Sequence, residues 1–263
     1  MPQKVGMKTN DNMKTLILFL TIVSISACKS DSTRQDATTT ILNNEKKESS
    51  IRIEILNNSQ FICFTPIDCQ LEYVVETPPA TSDSTIMLSM AASFTGQRMD
   101  TFKYSNICGT YLADSIVYNR NSGITTNIDA SFAYWNDSAY FAKGKDKDLL
   151  DSALKNNGVF FMQKHVLCNG ERGQMNLTRS TIYRVLAKYN DKLCVIQNTQ
   201  PMEYMTFVQG LENLGIKDAI YIDMGGWRYS WYRDEEDKVI ELFPVTTDTK
   251  YQTNWIIFRT KKK

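Results

Sequence analysis

A single histidine serves the whole 263-residue chain, and no Cys-x-x-Cys pair occurs, which argues against a zinc site built from the usual ligands. No apolar run reaches the ~20 residues a membrane-spanning helix needs. A surplus of one charge is also missing: 30 Lys and Arg nearly cancel 29 Asp and Glu, and the one basic tract is the terminal Lys261-Lys262-Lys263. The electrostatic footprint of a nucleic-acid binder is therefore absent, and no nucleic-acid partner is expected.

What is present begins with Met13-Lys14-Thr15, a short apolar run from Leu16 to Ile25, and then Ser26-Ala27-Cys28. A basic start, a short hydrophobic stretch and small residues before a cut describe an export signal, and a cysteine at the cut supplies the thiol that bacterial lipoproteins acylate. Residues 1–12 read as an upstream extension, with Met7 or Met13 as alternative starts. An uncleaved N-terminal helix is the bland alternative, and the polar Lys29-Ser30-Asp31-Ser32 speaks against it. The expected organisation is a lipoprotein signal with its extension over 1–28, a flexible polar tether over 29–50, and one domain over 51–263. The expected location is the bacterial cell envelope, outer membrane or cell surface, with the membrane reached through lipid on Cys28.

Five cysteines remain once Cys28 is lipidated, an odd number that cannot pair completely within one chain. Cys63 and Cys69 are close enough in sequence to be bridged or to stay reduced, whereas Cys168 and Cys194 sit in apolar runs that suit buried thiols.

Alternation of Ile51, Ile53 and Ile55 with charged residues predicts a half-buried strand. Residues 75–82 read as a Pro/Thr/Ser linker. Asp83 could cap a helix over 84–95 whose Ile86, Met90 and Phe94 fall on one face, with Gly96 as its stop. Asn136-Asp137, Asn169-Gly170 and Asn190-Asp191 are hairpin turns, and a helix is predicted over 146–155. Thr199 could cap another through Leu214, burying Met205, Val208 and Leu211 and ending at Gly215. Strand runs follow at 219–222 and 255–258. The predicted class is α+β, a mixed and largely antiparallel sheet with helices packed against it.

The stretch Leu214-Gly215-Ile216-Lys217-Asp218-Ala219-Ile220-Tyr221-Ile222-Asp223-Met224-Gly225-Gly226 resembles the signature of the phosphodiester glycosidase family. Asn157-Gly158-Val159-Phe160-Phe161 resembles the family's earlier Asn-Gly-Gly-Phe-Phe element. An arginine-led hairpin over 184–196 and the closing run Asn254-Trp255-Ile256-Ile257-Phe258 are similar in order and spacing. Phe94-Thr95-Gly96 and residues 102–109 resemble the N-terminal half of a divergent, lipoprotein-type branch.

The resemblance implies hydrolysis of the glycosidic bond of a sugar-1-phosphate diester in a glycan; no cofactor is expected and no metal-ligating residue is assigned, the metal requirement staying open. It makes Asp223 the acid/base or nucleophilic carboxylate and Arg184 the phosphate clamp, through its planar donor fork. Asn157, Gly158, Gly225, Gly226, Trp227 and Trp231 become candidate substrate contacts.

Each assignment has a plainer reading. Asp223 could cap a turn, Arg184 could form a structural ion pair, and Asn157-Gly158 could end a helix. His165 could be a packed or surface residue, and the aromatics at 227–232 could fill a core. The family's three glycines and small residue after the aspartate are here Met224-Gly225-Gly226-Trp227, and Tyr104 and Tyr111 stand where the related branch has histidines. These departures sustain an alternative: a catalytically degenerate lipoprotein that binds a glycan or sugar phosphate on the same fold.

The lipid anchor yields a direct prediction. Cys28→Ala should move the protein from the membrane fraction to the soluble fraction on cell fractionation; unchanged membrane attachment would contradict acylation at Cys28.

Overall fold

The computed structural model describes residues 49–119, 128–175, 177–224 and 228–261. Cys28 and the tether up to residue 48 lie outside the described residues, as do Gly225, Gly226 and Trp227. The described residues all belong to one unit spanning 45–263.

The chain opens with β1 (Ser50–Leu56), β2 (Phe61–Ile67), β3 (Cys69–Val75) and β4 (Ile86–Ala91), then β5 (Tyr111–Ala113), β6 (Ile116–Tyr118), β7 (Ala130–Trp135) and β8 (Ser138–Lys143). Helix α1 (Lys147–Lys155) precedes β9 (Val159–Gln163), β10 (His165–Cys168), β11 (Glu171–Arg172), β12 (Arg184–Tyr189) and β13 (Lys192–Asn198). Helix α2 (Tyr204–Asn213) leads into β14 (Asp218–Tyr221), β15 (Ser230–Arg233), β16 (Val239–Phe243) and β17 (Asn254–Thr260).

These strands form a seven-stranded sheet in the order β1-β2-β13-β12-β14-β10-β11 and two five-stranded sheets, β16-β15-β4-β17-β3 and β6-β5-β9-β7-β8. Every pairing is antiparallel. The expected α+β class with a mixed sheet is therefore overturned. The fold is mostly β: 17 strands in three antiparallel sheets, with two α-helices among the described residues.

The misread segment is 84–95. Its apolar residues at helical spacing form strand β4 instead, and all six residues from Ile86 to Ala91 are buried. A strand central to its sheet and covered on both faces shows no alternation, so spacing alone cannot separate it from a buried helix. The opposite happens at β1, an edge strand, where Ile51 is buried while Ile53 and Ile55 are exposed.

Turn chemistry is followed closely. Asn136-Asp137, Asn169-Gly170 and Asn190-Asp191 all take positive φ and close the β7–β8, β10–β11 and β12–β13 hairpins. Asn, Asp and Gly tolerate that left-handed region best, and its twist matches the flanking strands.

All three sheets contribute to one central core that includes Phe64, Leu71, Phe161, Leu186, Ile220 and Ile256. A second core lies between the seven-stranded sheet and α2, whose Tyr204, Phe207, Val208 and Leu211 are buried. The helix starts later than the expected Thr199, whose hydroxyl donates to Ser59 O, and Met205 points outward at 53% exposed. Gly215 ends it at φ 77°, with its N–H on Glu212 O. The five cysteines are buried free thiols, Cys63 and Cys69 included. No helix among the described residues is long and apolar enough to cross a membrane.

Helix α1 begins at Asp146, whose side chain accepts from Leu149 N at 2.8 Å, and it sets Leu150 and Ala153 against the third sheet. It ends at Asn157, φ 50°, and Gly158, whose N–H donates to Ala153 O at 2.8 Å. A Cβ on Gly158 would lie 2.5 Å from Tyr134 O and 2.9 Å from Trp135 Cβ. Gly158→Ala should therefore destabilise the fold by about 1–3 kcal/mol, the usual cost of overpacking, measured by denaturant unfolding; an unchanged midpoint would show that the α1–β7 approach is loose.

Candidate functional site

The site is built where three successive main-chain amides find three different partners. Tyr221 N–H donates to Lys164 O at 2.9 Å, Ile222 N–H to Arg184 O at 3.1 Å, and Asp223 N–H to Ala92 O at 2.9 Å. Lys164 joins β9 to β10, Arg184 opens β12, and Ala92 follows β4 of the second sheet. Residue 223 thus sits where two sheets meet. Alternation along the strand sends Ile222 into the central core with Leu186, while Tyr221 shares the second core with Val185 and Tyr183.

On the Tyr221 side lies a cavity of about 500 Å³ lined by Phe94, Lys164, Met175, Leu177, Thr178, Arg179, Thr181, Tyr183, Tyr221, Asp223 and Met224. Asp223 is only 4% exposed, and its carboxylate is felt by several neighbours. Burial, and then the charge of Asp223, push the Cys108 thiol up to about 11. The same two causes, in that order, hold the Tyr221 phenol well above its ordinary value. Two cations line the cavity with Asp223. Lys164 is largely buried and stands 3.7 Å from Asp129 Oδ2, and Arg179 is exposed, with its carbonyl accepting from Tyr183 Oη at 2.5 Å. Met175, Leu177, Phe94, Met224 and the two tyrosines make most of the remaining wall apolar and aromatic, with Thr178 and Thr181 among them, the composition of a small-molecule site.

Arg184 does not line this cavity. It shares the opposite face of β12 with Leu186 and is fully buried. Its Nε and Nη2 both donate to Gln197 Oε1, at 3.0 and 2.8 Å, and Nη2 also donates to Ser230 Oγ at 3.1 Å. Its guanidinium lies 5.2 Å from the Phe243 ring centre, and Nη1 has no partner. Burial lowers its pKa to about 9; Tyr221 and Asp223 oppose that shift and Arg228 adds to it. Arg184 and Asp223 are therefore electrostatically coupled without meeting in one cavity.

The remaining candidates are dispersed. Asn157 and Gly158 line a separate surface depression with Gln70, Tyr134, Asn136 and Lys261. Trp231 is fully buried in a cluster with Ile86, Tyr229, Trp255 and Ile257 on the second sheet. His165 pairs its Nε2 with Glu171 O at 3.0 Å, and burial lowers its pKa. Tyr104 stacks on Tyr118 at 4.3 Å between centroids, and Tyr111 donates to Tyr104 O. No group of three or more His, Cys, Asp or Glu side chains among the described residues could hold a metal ion.

Sequence reasoning missed Lys164, Arg179 and Tyr221 as site residues. Tyr221 was within reach, because it lies two residues before Asp223 on a strand and so shares its face. Lys164 and Arg179 arrive from a strand junction and a loop, and no local pattern marks them.

Comparison with known proteins supports the fold. No family model matches the sequence, and no curated protein matches it. Among solved structures, the catalytic domain of zebrafish N-acetylglucosamine-1-phosphodiester alpha-N-acetylglucosaminidase, auto-inhibited by its pro-peptide, is similar with a TM-score of 0.52 and 10% identity, over 81% of this chain and 82% of that one. A hypothetical protein from Synechocystis aligns with a TM-score of 0.41 and 12% identity, over 80% of this chain and 61% of that one. The first likeness indicates a distant relationship in fold.

Proposed function

We propose that this protein is an envelope lipoprotein, anchored through Cys28, that hydrolyses the glycosidic bond of a sugar-1-phosphate diester. The observation that carries the reading is Asp223, a nearly buried carboxylate lining an amphipathic cavity beside Lys164 and Arg179. The likeness in fold to a phosphodiester glycosidase supports it.

In this reading the sugar rests against Tyr183, Tyr221 and Phe94, whose ring faces suit the apolar face of a pyranose. Asp223 serves as nucleophile or as acid/base at the anomeric carbon. The bond from that carbon to the phosphate oxygen breaks, water supplies the new hydroxyl, and a phosphomonoester departs. Lys164 and Arg179 are the cations positioned to meet the charge developing on the leaving phosphate. The clamp role that the family resemblance gives Arg184 is not used, because its guanidinium faces away from this cavity.

One observation favours the alternative of a degenerate glycan-binding lipoprotein. Asp223 is the one carboxylate among the cavity's described lining residues, whereas most glycosidases use two.

Sugar release by the full-length protein from a panel of sugar-1-phosphate diesters separates the two. Asp223→Asn keeps size and removes the ionisable group, so release should fall by about 10²-fold or more with the melting temperature held. A wild-type protein that releases nothing across the panel yet binds glycans would overturn the hydrolase reading in favour of the binding one.

A further inference from the structure

Strand β1 ends the seven-stranded sheet, and among the described residues it pairs with β2 alone. Every second residue along it therefore turns an unpaired N–H and C=O outward. An exposed edge of this kind is a template for a further strand, and proteins blunt such edges by shortening them, by proline, by a bulge or by charge. The other end of the sheet is shortened, closing on the two-residue β11. β1 instead runs seven residues from Ser50 to Leu56 without proline, and it pairs with β2 residue for residue without a bulge. Charge is the remaining guard, and here it carries both signs.

Ile51, Ile53 and Ile55 share the face of Pro66, Phe64 and Ile62, the residues directly opposite them on β2. Ile53 and Ile55 are 37% and 57% exposed. Arg52 and Glu54 occupy the other face of the strand, 3.5 Å apart with both side chains largely in solvent. An exposed pair of that kind contributes little to stability, so both charges are open to a neighbouring strand.

We propose that β1 is a homodimer interface, in which the β1 strands of two copies pair antiparallel about a two-fold axis at Ile53. The run Ile51-Arg52-Ile53-Glu54-Ile55 is complementary to itself read backwards. Centred on Ile53, the pairing sets Arg52 of each copy opposite Glu54 of the other. It also places the two exposed Ile53 side chains together and each Ile55 beside an Ile51. A two-fold centred on Arg52 or on Glu54 brings two arginines or two glutamates face to face, and an in-register parallel pairing lines up like charges throughout, which is destabilising. The charges thus select one orientation and one register, and the result is an isologous contact closed at two copies. This surface draws on none of the residues assigned to hydrolysis.

Sedimentation equilibrium of the full chain in density-matched detergent, across the micromolar range, is the test, and the wild type should give the mass of two chains. Arg52→Glu makes the edge wholly acidic and Glu54→Arg makes it wholly basic, so each alone should raise the dimer dissociation constant by at least about tenfold. Mixed in equal amounts, the two variants should recover the dimer, because the acidic edge of one then faces the basic edge of the other. A monomeric wild type, single variants that dimerise as tightly as the wild type, or a mixture that stays monomeric would each overturn the proposal.

Discussion

Three consecutive hydrogen bonds, from the amides of Tyr221, Ile222 and Asp223 to the carbonyls of Lys164, Arg184 and Ala92, are the constraint on which the rest of the molecule depends. They tie the β9–β10 junction, the start of β12 and the end of β4 to one short segment. A buried backbone donor must find an acceptor, and here each successive donor finds one on a different element. The strand alternation that follows has no slack: Ile222 must enter the central core, and Tyr221 and Asp223 must face the cavity. A one-residue slip would put a carboxylate among Leu186, Ile220 and Ile256.

The same constraint divides charge across the sheet. On one side Asp223 is buried at the wall of the amphipathic cavity, where burial and then its charge raise the pKa of Tyr221 and Cys108. On the other side Arg184 is buried with only neutral hydrogen-bond partners, Gln197 and Ser230. Burying a charge is expensive, and such expense is common at functional sites.

How much of this was legible in the sequence follows from how local each signal is. Asn136-Asp137, Asn169-Gly170 and Asn190-Asp191 carry their own turn chemistry and form the turns they announce. Asp146 caps α1, and the run before Asp223 is a buried strand. What could not be read is whatever depends on burial from both sides or on distant partners. Residues Ile86–Ala91 satisfy a helical spacing only because every position is covered and all but Ser89 are apolar. Trp231, chosen for its aromatic face, fills the core behind the second sheet. Asn157 and Gly158 end α1 and line a different depression from that of Asp223. Lys164, Arg179 and Arg228 are ordinary surface-type residues in sequence, and folding brings them beside the two buried charges.

The central claim is that the segment ending at Asp223 delivers a carboxylate to the sugar-binding wall of a cavity. A crystal structure with a non-hydrolysable phosphonate analogue of a sugar-1-phosphate diester tests it most directly. The account predicts the sugar ring against Tyr183 and Tyr221, with its anomeric carbon about 3–3.5 Å from an Asp223 carboxylate oxygen, the separation of a reactive contact. An analogue bound with its sugar outside this cavity, or with Asp223 turned away from the anomeric carbon, would contradict it.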